Sequence, residues 1–244
     1  MMRATLLMIP LLLSACSLIR PTAPESPPQE ATTPPIAAVQ NALQRELEEG
    51  GDLYRVDAAA SDLRIYVFRG GRAPTMGKNH VITAPSLQGF VALHSDLPTD
   101  AHFALGLRLD RLELDPPALR AQTGGSFAKP LTQEQIDGTR DNMLGPSVLD
   151  AEQYPELVLR AVEISGDWPV LVARVEVQLH GRSHVYDSLM QVEREEDRLQ
   201  VRGSLVVRQT DFGIEPMTVL GGLLGIQDAL GIEYRIVTRR ITPE

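Results

Sequence analysis

Apolar and polar residues alternate along several stretches of the chain. In 170–180 (VLVARVEVQLH) every second residue from position 171 is apolar, and polar side chains take most of the positions between. The same period of two recurs at 103–110, 199–208 and 232–236. Because successive side chains of a strand point to opposite faces, this pattern predicts antiparallel sheet with one buried face. Hairpin turns are predicted at 180–183 (HGRS) and 195–197 (EED).

A few helical patterns interrupt the predicted strands. Residues 36–47 (IAAVQNALQREL) space their apolar side chains three and four apart, and Gly50-Gly51 would end that helix. Residues 132–137 (TQEQID) begin like a capped helix, and 210–230 mixes Gly and Leu in a way that predicts short helical turns. Many strands and few helices favour a mainly β fold, an antiparallel lipocalin-like β-barrel with short helical inserts. A β-sandwich is the alternative at this level.

The N-terminus combines a positive start, a short apolar run and the only cysteine of the chain. Arg3 precedes Leu6–Leu13, which is too short to span a bilayer, and Leu13-Ser14-Ala15-Cys16 resembles the bacterial lipobox. The resemblance implies a lipoprotein signal peptide over 1–15 and lipidation of Cys16. Because Ser17 rather than Asp follows, it also implies an outer-membrane anchor with the body facing the periplasm. A plain secretory signal with a chance cysteine is the alternative.

Composition divides the remainder of the chain. Residues 16–35 are rich in Pro, Thr and Ser, and this composition predicts a flexible tether. We expect a short helix and linker over 36–51 and one barrel domain over 52–244. A net charge of −9 argues against nucleic acid and against adhesion to anionic lipid by charge. A single cysteine excludes an internal disulfide.

Five landmarks follow one another between Tyr54 and Val237. They are 54–57 (YRVD), 138–144 (GTRDNML), 149–157 (LDAEQYPEL), 177–184 (VQLHGRSH) and 207–214 (VRQTDFGI). This order resembles the YceI-like family, periplasmic lipocalin-like barrels associated with polyisoprenoid binding. The resemblance implies a non-enzymatic protein without a cofactor that holds a long apolar lipid inside its barrel. The sequence shows no nucleophile elbow, zinc helix or phosphate loop, which agrees with a non-enzyme.

The alternation in the predicted strands indicates which side chains face the inside of the barrel. These ligand-lining candidates are Leu105, Leu107, Val175, Val177, Leu205, Tyr234 and Ile236. Periodicity alone leaves open whether they line a hollow or fill a solid core.

Polar candidates come from the family-like motifs and the histidines. Arg140, Asp141 and Asp211 are candidates for a ligand's polar head, with the alternative that they pin the helical insert and cap a turn at Phe212-Gly213. His80, His180 and His184 are weak metal candidates, because imidazole binds several transition metals. Two further functions therefore stay open, a His-dependent metal or haem accessory protein and a structural envelope barrel with no ligand. The oligomeric state is also open.

Overall fold

The computed structural model describes residues 35–241, so the predicted signal peptide, Cys16 and the tether before Pro35 lie outside the described part. The helices are α1 (Pro35–Glu49), α2 (Pro117–Thr123) and α3 (Gln133–Leu144). The strands are β1 (Asp52–Val56), β2 (Asp62–Gly70), β3 (His80–Thr83), β4 (Gln88–Leu93), β5 (Ala101–Arg108), β6 (Glu113–Leu114), β7 (Glu156–Asp167), β8 (Val170–Leu179), β9 (Arg182–Arg194), β10 (Arg198–Arg208), β11 (Thr218–Val219) and β12 (Leu224–Arg240). Within the described range, no helix combines the length and apolarity needed to cross a membrane.

The strands form one antiparallel sheet that closes on itself. Eight strands make the ring, in the order β1-β4-β5-β7-β8-β9-β10-β12, and β1 returns to β12 through Val56 opposite Thr238. The rest of β12 pairs with β2, from which β3 and β6 extend, and β11 pairs with the start of β12. Since closure removes unpaired edges, the predicted lipocalin-like barrel is confirmed.

The alternating stretches lie in β5, β8, β10 and β12, except that residues 109–110 and 180 belong to the turns that follow β5 and β8. The predicted β8–β9 hairpin turns through two residues, His180 and Gly181, with φ of 52° and 70°. Positive φ at both positions is the type I′ geometry that matches the twist of paired strands. The second predicted turn, at 195–197, connects β9 to β10.

Two predicted helices are also present. α1 runs to Glu49, and Gly50 follows it with a φ of 82°. Thr132 caps α3: its hydroxyl accepts a hydrogen bond from the Gln135 amide at 3.3 Å, while the Gln135 side chain accepts one from the Thr132 amide. This reciprocal capping box fixes where α3 begins.

The prediction of helical turns throughout 210–230 is wrong for its second half. Leu224 to Leu230 belongs to β12, and only Gln209–Phe212 forms a short 3-10 turn. The register of β12 against β2 shifts between Ile226 and Leu230. This bulge breaks the alternation of apolar and polar positions, and the broken period is what hid the strand in the sequence.

α1 lies on the outside of the barrel. Its Val39 belongs to an apolar cluster with outward-facing residues of four strands: Leu53 of β1, Phe90 of β4, Ala104 of β5 and Val158 of β7. The amide of Ile36 donates to the Glu156 carboxylate at 2.8 Å. The apolar stripe of α1 therefore has a complementary apolar patch on the barrel wall, which holds the helix in place.

The two ends of the barrel differ. The connections β2–β3, β5–β7, β8–β9 and β10–β12 meet at one end, which we call the helical end because it carries α2 and α3. The connections β4–β5, β7–β8 and β9–β10 meet at the other end. There the indole N–H of Trp168 donates to the Asp96 carbonyl at 2.7 Å, and the Arg194 guanidinium lies 4.7 Å from the indole ring centre. We call this the Trp168 end.

Candidate functional site

The barrel encloses a cavity of about 630 Å³ whose wall is predominantly apolar. It runs from Trp168 to residues of α3 and of the β10–β12 connection. Several inward-facing side chains, such as Leu159 and Val201, are only half-buried because they border this space rather than a filled core. Seven lining residues are those nominated from the sequence: Leu105, Leu107, Val175, Val177, Leu205, Tyr234 and Ile236. Their role in binding a ligand stays a prediction.

The cavity opens at the helical end. The lining residues that are also exposed to solvent all lie there, four on α3 and one on β11: Glu134, Gln135, Gly138, Asn142 and Val219. The chain between β6 and β7 therefore borders the opening, and a ligand would pass α3 to enter the barrel.

A buried charge cluster supports the wall beside this opening. His80 of β3 lines the cavity, and its Nδ1 lies 2.6 Å from Oδ2 of Asp115. The other carboxylate oxygen of Asp115 accepts from the Arg120 guanidinium at 2.5 Å and from the Val81 amide at 3.0 Å. The Asp115 side chain has no exposed surface and that of Arg120 is 4 % exposed. Because Nδ1 is engaged, the Nε2 atom of His80 is the ring nitrogen available to the cavity.

Asp115 owes its position to an unusual backbone. Its φ is 53°, a left-handed conformation that Asp tolerates better than most residues. In that conformation its amide donates to the Val81 carbonyl at 2.7 Å, so backbone and side chain together attach it to β3. Burial raises the pKa of Asp115, but the hydrogen bonds from His80, Val81 and Arg120 outweigh it and hold the pKa below its usual range. This cluster was not predicted from the sequence; the only local signal is that Arg120 of α2 follows Asp115 by five residues.

A second polar pair lies deeper in the cavity. The hydroxyls of Ser188 and Tyr234 are 2.7 Å apart, and both residues line the cavity. The Tyr234 ring lies over Gly203, its partner on β10, where an added Cβ would come within 2.3 Å of the phenol oxygen. Gly203 therefore makes the space in which this tyrosine lies flat against the wall. Burial raises the pKa of Tyr234, so the phenol stays protonated and neutral in the apolar interior.

The structure places Arg140 and Asp141 away from the cavity lining. The Arg140 guanidinium donates to the Leu112 carbonyl at 2.5 Å and to the Asp110 carbonyl, in a shallow groove between α3 and the segment that contains β6. Asp141 is exposed on α3. A head group in the cavity would not reach Arg140 while both its terminal nitrogens bind backbone, so the alternative of a pinned insert describes this arginine.

Asp211 binds the side-chain hydroxyl of Tyr186 and does not cap the turn at Phe212. Its carboxylate accepts from the Tyr186 hydroxyl at 2.8 Å, and Nε2 of His184 lies 3.8 Å away. The Tyr186 hydrogen bond takes the place of the cap expected for the turn at Phe212. Asp211 is not among the residues that line the cavity.

The three histidines named as weak metal candidates have separate surroundings. His80 binds Asp115, His180 packs against Tyr154 with ring centres 4.9 Å apart, and His184 lies over Tyr186. Within residues 35–241, the one group of three potential metal ligands includes none of them. The structure thus gives these three residues no shared site.

A closed antiparallel barrel with an apolar interior, open at one end, is a lipocalin-like barrel. Residues 54–238 match the YceI-like domain, and the chain therefore belongs to the YceI-like family. This confirms the resemblance seen in the sequence. No curated protein sequence matches the chain significantly.

Solved structures share the fold at low sequence identity. The chain is similar to BcnA of Burkholderia cenocepacia at 12% identity, with a TM-score of 0.54 over 75% of this chain and 98% of that one. It is also similar to a polyisoprenoid binding domain from Saccharophagus degradans, at 16% identity and a TM-score of 0.54 over 77% and 98% of the two chains. A mutant YceI protein of Campylobacter jejuni matches at 6% identity and a TM-score of 0.50, over 66% and 85%.

Proposed function

We propose that the chain is a non-enzymatic binding protein that holds a long apolar lipid of the polyisoprenoid class in its barrel. The observation that carries the proposal is the predominantly apolar cavity of about 630 Å³. Its volume falls within the ~300–1,000 Å³ typical of small-molecule sites. Apolar surface moved from water into the cavity contributes ~25 cal/mol per Å², whereas a polar group buried there without a partner is penalised. The wall therefore selects hydrocarbon.

The choice of a polyisoprenoid among apolar chains is supported by the relatives. The domain from Saccharophagus degradans, which shares the fold, is described as a polyisoprenoid binding domain. Branched prenyl units also fit a wall of branched Leu, Ile and Val side chains.

We place the polar head of the ligand at the helical end, beside Lys78 and His80. Both residues line the cavity next to its opening. They are two positions apart where β3 begins, and alternate residues of an extended chain share a face. A lysine ammonium and the free nitrogen of His80 suit an anionic head such as phosphate. Glu134 of α3 lines the same opening, and its negative charge would repel an anionic head group that lay close to α3. The head group is therefore placed on the side of Lys78 and His80.

Binding of defined lipids tests this placement. We expect a polyprenyl phosphate to bind more tightly than the matching polyprenol, and the difference to shrink in Lys78→Met. Lys129→Met is the matched control, because Lys129 is exposed and only its backbone carbonyl takes part in the Arg120 cluster. Equal affinity for both lipids in the unaltered protein would show that no head-group site exists here. Tighter binding of a straight fatty acid than of either prenyl lipid would contradict the polyisoprenoid assignment.

We further propose that Cys16 is acylated and anchors the barrel to the outer membrane, facing the periplasm. The supporting observation is the sequence before Cys16, and a diacylated, N-acylated cysteine holds a protein stably on a membrane. Metabolic labelling with a palmitate analogue, followed by membrane fractionation, tests this. Label in the unaltered chain and none in Cys16→Ser is expected, and label retained by Cys16→Ser would contradict it.

A further inference from the structure

Two histidines and two glutamates meet where α1 reaches the Trp168 end of the barrel. Nε2 of His94 lies 2.8 Å from one carboxylate oxygen of Glu46, and Nδ1 of His102 lies 3.8 Å from the other. The ligand atoms of Glu46, Glu49 and His94 all lie within 4.8 Å of one another. The rings of His94 and His102 meet edge to face, with centres 5.4 Å apart. None of these four residues lines the cavity.

Strand alternation explains why the two imidazoles lie side by side. His102 is opposite Ala92 in the β4–β5 pairing and shares its face of β5 with Ala104. Ala92 and Ala104 both belong to the outward patch under α1, and His94 is two residues beyond Ala92. Because side chains on one face recur every second residue, both histidines point outward, toward the end of α1.

The helix supplies carboxylates at the matching position. Val39 and Leu43 of α1 pack on the barrel, and Glu46 follows on the same stripe, three residues after Leu43. The stripe thus changes from apolar to acidic where it meets His94 and His102. The Glu46 side chain is 14 % exposed and that of His94 is 28 % exposed, so both are partly shielded while the cluster stays accessible to an ion from solvent.

The last turn of α1 has an excess of negative charge. It reads Glu46-Leu47-Glu48-Glu49 and contains no basic residue. The C-terminal end of a helix carries a partial negative charge, and carboxylates there are unfavourable. A bound cation offsets both the carboxylates and the helix dipole.

We propose that Glu46, Glu49, His94 and His102 form a site for a divalent transition-metal ion of the Zn²⁺ class, which fastens α1 to β4 and β5. Imidazole and carboxylate ligands suit Zn²⁺, Ni²⁺ or Cu²⁺. Metal–ligand bonds of about 2.0–2.2 Å place neighbouring ligand atoms of a tetrahedral site roughly 3.5 Å apart. The ligand atoms of Glu46, Glu49 and His94 already lie within 4.8 Å of one another, and His102 joins them through Glu46, 3.8 Å from its Nδ1. Gly51 leaves room for the ring of His94, since an added Cβ there would lie only 3.2 Å from its Nδ1.

Calorimetric titration of the purified full chain with Zn²⁺ tests the site. One equivalent is expected to bind, and His94→Asn and His102→Asn are each expected to weaken binding about tenfold or more, because even outer-shell changes cost ~10–100-fold. The side chain of His102 is 61 % exposed, so its replacement leaves the fold intact. Two controls should bind as the unaltered chain does: Glu48→Gln, whose carboxylate accepts from Gln44, and His184→Asn on the far side of the barrel.

Amide hydrogen exchange gives a readout independent of affinity. Zn²⁺ should slow exchange in α1 of the unaltered chain and should have no such effect in His94→Asn. The proposal is overturned if no equivalent binds, if both histidine variants bind as the unaltered chain does, or if Ca²⁺ binds as tightly as Zn²⁺. The last result would indicate an acidic patch without histidine ligation.

Discussion

Nδ1 of His80, a residue that lines the cavity, lies 2.6 Å from Oδ2 of Asp115, a fully buried carboxylate held on its other oxygen by Arg120. This contact joins the wall of the ligand cavity to a charge cluster behind it. Because the Asp115 carboxylate engages Nδ1, it orients the His80 ring so that Nε2 is the nitrogen that faces the cavity.

Replacing Asp115 by Asn should destabilise the fold strongly. The substitution keeps the size of the side chain but leaves the Arg120 guanidinium buried without its counter-charge. Breaking a buried ion pair in this way costs about 3–5 kcal/mol. Urea unfolding at pH 7 measures the loss. The matched control is Asp187→Asn, whose side chain is 74 % exposed and should change stability by less than about 0.5 kcal/mol. Similar small losses in both variants would show that the cluster is not important for stability.

The same carboxylate predicts a pH dependence with a definite sign. Because the pKa of Asp115 is lower in the folded protein, through the hydrogen bonds that outweigh its burial, the ionised form favours folding. Its contribution is complete above the unfolded pKa of about 3.9 and is lost as pH falls through the folded pKa. The unfolding free energy should therefore fall more steeply below about pH 4 in the unaltered protein than in Asp115→Asn. Parallel curves would contradict the lowered pKa.

Two glycine-to-alanine substitutions should act in opposite directions. At Gly203 the new methyl group would collide with the Tyr234 phenol at 2.3 Å and with the Leu189 carbonyl at 2.7 Å. Overpacking of this kind costs about 1–3 kcal/mol. At Gly138, in α3, nothing lies within 4 Å of the new Cβ, and alanine in a helix should stabilise by about 0.5–1 kcal/mol. Thermal unfolding of both variants tests the pair. A neutral Gly203→Ala would mean that the tyrosine ring does not lie over this position.

Filling the cavity should impair ligand binding without unfolding the barrel. Leu205 faces the cavity, so phenylalanine there takes up empty space and displaces ligand. Val206, its neighbour, is 60 % exposed on the outer face, and Val206→Phe is the matched control. We expect Leu205→Phe to weaken binding of the fluorescent apolar probe N-phenyl-1-naphthylamine about tenfold, equivalent to ~1.4 kcal/mol. Equal binding by both variants would show that the probe binds outside the barrel.

The parts of the molecule that sequence reasoning predicted are those with an unbroken local period. Alternation identified β8 and the inward face that includes Val175 and Val177, because every residue of that strand pairs in register. The start of β12 escaped detection because its bulge interrupts the period, and Gln227 there uses its backbone carbonyl to accept from the Gln209 side chain.

The candidate site was only partly predictable for a different reason. The lining of the cavity follows from strand faces, but its charged support depends on contacts between distant segments. His80 and Asp115 are 35 residues apart, and Glu46 and His94 are 48 apart. Contacts between residues this far apart in the sequence cannot be predicted from local residue spacing. For Arg140 the motif left open a ligand contact or a pinned insert, and its guanidinium binds the backbone of Asp110 and Leu112, which fits the pinned insert.

Native mass spectrometry of the protein purified from the cells that make it tests the central claim most directly. We expect an added mass that is released by organic solvent and identified as a prenyl lipid, at about one molecule per barrel. Leu205→Phe, prepared in parallel, should carry less of it, while Val206→Phe should carry the same amount. A barrel that retains no lipid under gentle conditions, and takes up none when polyprenyl lipid is supplied, would contradict the account and leave a structural envelope barrel in its place.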